Sequence, residues 1–140
     1  IAFDPNHRDM LWDSAEIAKS VYRDIAPLLT FCLPTFDDEQ RLFKDRDPTV
    51  TATRWLDWGA AEVIVKNGSK TALLATPWEQ IHSYPIPIER VVDTTAAGDA
   101  FNGSYLVRRL VGDPSRLAAD AAHTLAAQVI QHKGAIAPLA

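Results

Sequence analysis

Asp93-Thr94-Thr95-Ala96-Ala97-Gly98-Asp99-Ala100-Phe101 is the stretch that decides how this chain folds. Upstream, Ile86, Ile88, Val91 and Val92 form a β-branched stretch broken by Pro87, and a strand-like segment is expected there. Downstream, Phe101 to Val111 is mostly apolar and free of proline, so a helix is expected. The small residues between them therefore sit at a helix N-terminus. A helix start leaves its first backbone N–H groups without intrahelical partners and carries partial positive charge, which suits anionic oxygens. Ala96, Ala97 and Gly98 are too small to block an approaching phosphate.

Asp99 then places a carboxylate in the first helical turn. A role as complement to the helix dipole would be worth ~0.3–1 kcal/mol. Asp93, Thr94 and Thr95 already offer cap oxygens, which leaves Asp99 available for chemistry. A carboxylate facing a bound phosphoryl group can take the proton of an attacking hydroxyl, the base's task in phosphoryl transfer. The spacing of Gly98 and Gly103-Ser104 imitates a P-loop, but the lysine that would reach the phosphates is absent and both glycines fall inside the helical segment. That motif is rejected.

Outward from this turn, Asp113-Pro114 is expected to start a long helix ending near Gly134, with Leu117, Ala121, Leu125 and Val129 as its buried stripe. Towards the N-terminus, Glu62 to Lys66 and Thr71 to Ala75 read as two strands joined by a two-residue Asn67-Gly68 turn. Thr51 to Trp58 reads as a helix stopped by Gly59. Leu28 to Leu33 reads as a strand that runs into Pro34-Thr35-Phe36-Asp37-Asp38-Glu39, where an acidic cluster opens a helix carrying Leu42 and Phe43. Asp13-Ser14 can cap a helix to about Ala26, with Ile17, Val21 and Ile25 as its apolar face and Pro27 as its stop. Ile1 to Phe3 reads as a short buried strand followed by a loop, Asp4-Pro5-Asn6-His7-Arg8. Loops at strand ends are where open α/β sheets bind ligands, so Asn6 and Arg8 are candidates.

Composition narrows the class. Of 140 residues, 47% are hydrophobic and 23% charged, enough for one globular domain with a core. A net charge of −4 without a basic stripe argues against nucleic acid and anionic lipid as partners. No run approaches the ~18 apolar residues of a membrane span, and a cytoplasmic location is expected. Cys32 reads as a buried strand thiol, and the four histidines lack metal-ligand spacing. Trp12, Trp55, Trp58, Trp78 and Tyr84 are expected to pack rather than to act as stacking platforms.

Asp93 to Phe101, continued by Asn102-Gly103, resembles the C-terminal signature of the ribokinase/PfkB carbohydrate kinases. The resemblance implies an α/β fold, a ribokinase-like three-layer α/β/α sandwich. Residues 1–140 would be its C-terminal portion, within a single domain whose N-terminal sugar-binding and lid part is absent. The abrupt opening on Ile1-Ala2-Phe3 without methionine gives the same expectation.

The resemblance implies ATP and Mg²⁺, and a sugar or sugar-acid substrate. Asp99 would be the catalytic base and touch that substrate, with the backbone N–H groups of Ala96, Ala97, Gly98 and Asp99 as an anion hole for the γ-phosphate. Asp4-Pro5-Asn6-x-Arg8, then Leu11-Trp12, is similar to a loop of the branch that acts on 2-keto-3-deoxygluconate and of some fructokinases. There the Asn faces nucleotide phosphates and the Arg reaches substrate. Lys66 and Gly68 would border the nucleotide, and the Lys133-Gly134-Ala135-Ile136 loop would close over adenine. Asp93 and Thr95 would hold a monovalent cation such as K⁺. In the family's Asn-x-x-Glu element, which organises Mg²⁺, Thr35 takes the Asn place and Asp38 or Glu39 the Glu place. A homo-oligomer is compatible with the resemblance.

Overall fold

The computed structural model describes residues 1–138, which divide into two compact units, Ile1–His82 and Ser83 onward. The first unit is built on a mixed sheet of β1 (Ala2–Phe3), β2 (Phe31–Cys32), β3 (Glu62–Val65), β4 (Ala72–Ala75) and β5 (Gln80–Ser83), ordered β1-β2-β3-β4-β5. The last residue of β5, Ser83, is the first of the second unit.

The first three strands are parallel, in register Ala2 with Phe31 and Phe31 with Glu62. Parallel neighbours need crossovers, and helices provide them. α1 (Ala15–Ile25) links β1 to β2, while α2 (Phe36–Phe43) and α3 (Pro48–Asp57) link β2 to β3. β4 then returns antiparallel to β3 with Val65 opposite Leu73.

Every residue of β3 and β4 is buried, as expected for central strands covered on both faces. Tyr22, Cys32, Leu42, Ala52 and Trp55 pack with Val63, Val65 and Leu73 in one core, and Cys32 is buried as expected. Trp55 is fully enclosed, its ring 5.3 Å from that of Trp58 and 6.0 Å from that of Tyr22. Side chains cap two helix starts: Ser14 accepts from the Ile17 N–H, and Asp47 from the Val50 N–H. Gly59 closes α3 at φ +107°, and a Cβ there would come within 3.1 Å of Pro27 Cα, so only glycine fits without displacing the turn after α1.

The second unit holds α4 (Ala97–Leu110) and α5 (Ser115–Val129). Phe101 and Tyr105 of α4 are buried, and Phe101 meets the buried His123 of α5 edge to face at 5.0 Å. Ala118, Ala119 and Ala122 are completely buried, small residues that let two helices approach closely.

Several expectations are corrected. β1 lies at the sheet edge with Ile1 and Ala2 exposed, because parallel pairing covers it on one side alone. β2 shrinks to two residues, since a 3₁₀ turn, Ala26–Leu28, consumes the start of the expected strand. α1 buries Ala18 and Tyr22 and leaves Ile17 and Val21 exposed; the aromatic ring outweighs the aliphatic stripe in choosing the face. α3 begins three residues before Thr51, because Asp47 caps and Pro48 fits the first turn.

The connection between β3 and β4 is longer than a two-residue turn. Lys66 is drawn into a parallel bridge with Thr35, so antiparallel pairing resumes at Leu73. No strand forms over Ile86 to Val92, where these residues remain irregular and Ile86, Val91 and Val92 are exposed. Trp78 and Tyr84 are exposed rather than packed. Pro114 rather than Asp113 occupies the cap position of α5, Asp113 being engaged by Arg108 and, through its carbonyl, by Arg109. The buried stripe of α5 is the alanine row with His123 and Val129, leaving Leu117 exposed, and the helix ends at Val129, before Gly134.

Candidate functional site

In the second unit, Ala96 adopts the left-handed conformation, φ 62°, immediately before α4. That reversal turns the chain from the Asp93–Thr95 segment into the helix. Ala97 N–H bonds the Thr94 carbonyl at 3.2 Å, and no side chain caps α4. The helix start therefore points amide hydrogens outward without a resident side-chain acceptor, the electrostatic arrangement an anion needs. Gly98 and Asp99 occupy the first turn, and Asp99 is exposed. The P-loop alternative is excluded by the helical backbone at both Gly98 and Gly103.

Asp93 lies beside this turn with both oxygens engaged. Oδ1 accepts the Thr95 N–H and Oδ2 the Gly134 N–H, each at 2.9 Å. Hydrogen bonds from Thr95, then Gly134, hold its carboxyl down to about 2, so it remains an anion at any working pH. Val92 N–H, bonded to the Ile130 carbonyl at 2.8 Å, fixes the same segment to the end of α5. Asp93, Thr95 and Gly134 are thus brought together. Gly134 itself sits at φ +85° in open space.

In the first unit, the Asp4–Arg8 loop leaves the end of β1. Asp4 Oδ1 accepts the Asn6 N–H at 2.9 Å, while Oδ2 pairs with Lys66 Nζ at 2.6 Å. Lys66 is buried at the end of β3, and its backbone is bonded on both sides of Thr35, to Pro34 and Phe36. Its ammonium is therefore committed to Asp4. Asn6, at φ 36°, is exposed at the loop tip. Arg8 donates to the His7 carbonyl at 2.8 Å and lies 3.7 Å from Asp38 Oδ2, with its side chain about half exposed. Gly68, at φ +56°, has no atom within 4 Å of where a Cβ would be.

The two acids at the start of α2 have different surroundings. Asp38 pairs with Arg41 and faces Arg8. Glu39 is buried, and its Oε2 accepts from Arg54 Nη2 at 2.8 Å and Trp55 Nε1 at 3.1 Å. Arg54 also pairs with Asp45, and its guanidinium stacks 3.6 Å above the Phe43 ring. Burial pushes the Glu39 carboxyl up, and Arg54 opposes the push. Both acids are buried, but Glu39 is tied to Arg54 and Trp55, whereas Asp38 meets the more exposed guanidinium groups of Arg41 and Arg8.

Nothing in the sequence marked Asp4 as the anchor of Lys66, because the two lie 62 residues apart and meet only once β1 and β3 flank β2. A groove of about 620 Å³ along α3, lined by Arg46, Asp47, Thr53, Arg54, Asp57 and Trp58, contains none of the expected site residues. Among the described residues, no group of three or more His, Cys, Asp or Glu could hold a metal ion, and no helix is long and apolar enough to cross a membrane.

Residues 1–140 match the family described as pfkB family carbohydrate kinase. A 2-dehydro-3-deoxygluconokinase of Haemophilus influenzae is 41% identical over 97% of this chain and 44% of its own length. Among solved structures, aminoimidazole riboside kinase from Salmonella enterica, complexed with aminoimidazole riboside and an ATP analog, superposes with a TM-score of 0.85 at 27% identity, over 96% of this chain and 46% of that one. A candidate ribokinase II from Escherichia coli, in complex with ATP and Mg²⁺, gives 0.82 at 28% identity over 96% and 43%. The chain spans less than half the length of these relatives. Their fold is that of the ribokinases, which agrees with the α/β expectation.

Proposed function

This chain belongs to the pfkB family of carbohydrate kinases, and from that premise we propose that it is the C-terminal part of an ATP-dependent kinase for 2-keto-3-deoxygluconate, forming the 6-phosphate. The observation that carries the reading is Asp99, exposed in the first turn of an uncapped helix whose small residues leave its amides approachable.

The hydroxyl oxygen of the substrate would attack the γ-phosphorus while its proton passes to Asp99. The new O–P bond forms as the bond from the γ-phosphorus to the β–γ bridging oxygen breaks, and ADP departs. Amides of Ala96, Gly98 and Asp99 would neutralise charge on the equatorial oxygens, while that of Ala97, bonded to the Thr94 carbonyl, would join them only by releasing it. The transition state is loose, so most of the acceleration comes from positioning and electrostatics, with the base contributing ~10²–10⁴-fold.

The first unit would supply recognition. Arg8 is a planar donor suited to a carboxylate; its guanidinium is about half exposed and stands 3.7 Å from Asp38 Oδ2, beyond hydrogen-bond distance, so it is open to a substrate acid. The resemblance to 2-dehydro-3-deoxygluconokinase supports the choice of a keto acid over a neutral sugar. Asn6 and Gly68, both exposed, would face the nucleotide, with Gly134 beside the adenine. Lys66 would act at the nucleotide border through Asp4, since its ammonium is paired there.

Mg²⁺ would be held by one or two carboxylates together with substrate phosphates rather than by a protein cage; of the two buried acids at the start of α2, Asp38 is the candidate, since its Oδ2 faces the half-exposed Arg8 while Glu39 is tied to Arg54 and Trp55. When bound, it would neutralise phosphate charge. A monovalent cation fits Asp93, which stays ionised and keeps lone pairs beyond the two it gives to amides.

The test is product formation by the whole protein with ATP, Mg²⁺ and a panel of 2-keto-3-deoxygluconate, fructose and ribose. The reading expects the keto acid to give the highest kcat/KM. A preference for either neutral sugar would assign the protein to another branch of the family, and ATP binding without transfer to any acceptor would make it a nucleotide-binding module.

A further inference from the structure

From Asn6 to Leu11 the chain is exposed with one exception, His7, which is buried. Its imidazole fills a slot against Trp12, with the rings nearly parallel at 6.4 Å, and against Tyr22, edge on at 6.0 Å. Both ring nitrogens are engaged: Nε2 is 2.8 Å from Asp9 Oδ1 and Nδ1 is 3.1 Å from the Tyr22 hydroxyl. An ionised carboxylate can only accept, so Nε2 carries the hydrogen toward Asp9, and a neutral ring then receives the Tyr22 proton at Nδ1. Tyr22 belongs to the core of α1, and its oxygen is also 3.4 Å from the Pro5 carbonyl. Burial pushes the Tyr22 phenol up to about 12, so it keeps its proton.

The next residue is Arg8. Its guanidinium, about half exposed, donates to the backbone carbonyl of His7 at 2.8 Å. A chain of contacts therefore runs from the rigid core to the guanidinium: Tyr22 hydroxyl, His7 ring, His7 carbonyl, Arg8 Nη1. We propose that His7 is a positioning residue, which locks the Asp4–Arg8 loop to α1 and so sets where the Arg8 guanidinium meets the carboxylate of a sugar-acid substrate. This rests on the reading of Arg8 given above. The ring itself touches no reacting atom. Its effect is to hold a long, exposed side chain in the place where a two-pronged contact can form.

The test uses the whole protein with His7→Ala, His7→Asn, which returns a polar partner near the position of Nδ1, and Tyr22→Phe, which removes one oxygen and keeps the core ring. In His7→Ala the guanidinium of Arg8 should leave the side of Asp38 in the crystal. The KM for 2-keto-3-deoxygluconate should rise about tenfold, the equivalent of ~1.4 kcal/mol, while the KM for ATP changes less than about twofold. His7→Asn should recover most of the loss. Should the alanine variant not fold, Tyr22→Phe carries the same expectation with a smaller rise.

Arg8 keeping its place in the His7→Ala crystal, or an equal rise in both KM values, would overturn the proposal. An Arg8→Ala variant with unchanged KM for the keto acid would instead sink the reading of Arg8, and the crystal would still decide whether His7 places that side chain.

Discussion

The Gly134 amide donates to Asp93 Oδ2 at 2.9 Å, tying the loop after α5 to the turn before α4. The hydrogen bonds that converge on Asp93, from Thr95 and then Gly134, lower its carboxyl from 3.8 to about 2 in the folded chain. A depressed folded value means that the tie contributes fully above about pH 3.8 and is lost as pH falls through about 2. The amide proton of Gly134, followed by NMR, should accordingly titrate with a midpoint near 2, and the titration should vanish in Asp93→Asn. A midpoint near 3.8 would mean that the carboxylate is not bonded to these amides.

Lys66→Met should destabilise the fold by about 2–3 kcal/mol, below the ~3–5 kcal/mol of a fully enclosed pair, because Asp4 retains access to solvent. Urea unfolding of the variant checks it. Asp4→Asn should cost less, since the amide can still receive a hydrogen bond from Lys66.

Arg54→Leu strips partners from both Glu39 and Asp45 and should cost about 3–5 kcal/mol at neutral pH. Burial raises the Glu39 carboxyl in the fold, and with Arg54 gone the Trp55 indole N–H is left to oppose it. A raised folded value gives a contribution that is present below the unfolded value of 4.5 and lost as pH rises through the folded one. The variant's deficit should therefore shrink as pH falls toward 4.5, measured by chemical denaturation at several pH values. A deficit independent of pH would mean that the loss comes from packing on Phe43.

The turn at Asp93–Asp99 is legible because small residues and a helix start follow one another in the sequence; the left-handed reversal at Ala96 is not, since alanine carries no mark of that conformation. The helices were likewise legible in number and order, but not in facing. In α1 and α5 the longer aliphatic residues suggested one stripe, and tertiary packing chose Tyr22 and the alanine row, one position away. β5 carries no strand signal in the sequence while Ile86 to Val92 does, since a β-branched run becomes a strand only with a neighbour to pair. The role of Asp4 was invisible for the same reason, its partner being set by sheet order. His7 gave no signal, as burial in a polar loop leaves no periodic mark.

Arg8→Lys should lower kcat/KM for 2-keto-3-deoxygluconate by an amount worth about 1.5–3 kcal/mol and leave a neutral sugar nearly unaffected, because a lysine cannot make the two-pronged contact. Steady-state kinetics on both substrates checks it. Equal losses would place Arg8 on the nucleotide.

The most direct measurement is the kcat of Asp99→Asn in the whole protein. The substitution keeps the size of the side chain and its place in the first turn of α4, and removes the ability to accept a proton. Phosphoryl transfer with Asp99 as base predicts kcat lower by ~10²–10⁴ with the KM for ATP nearly unchanged. A variant that forms sugar phosphate at close to the normal kcat would show that the proton goes elsewhere.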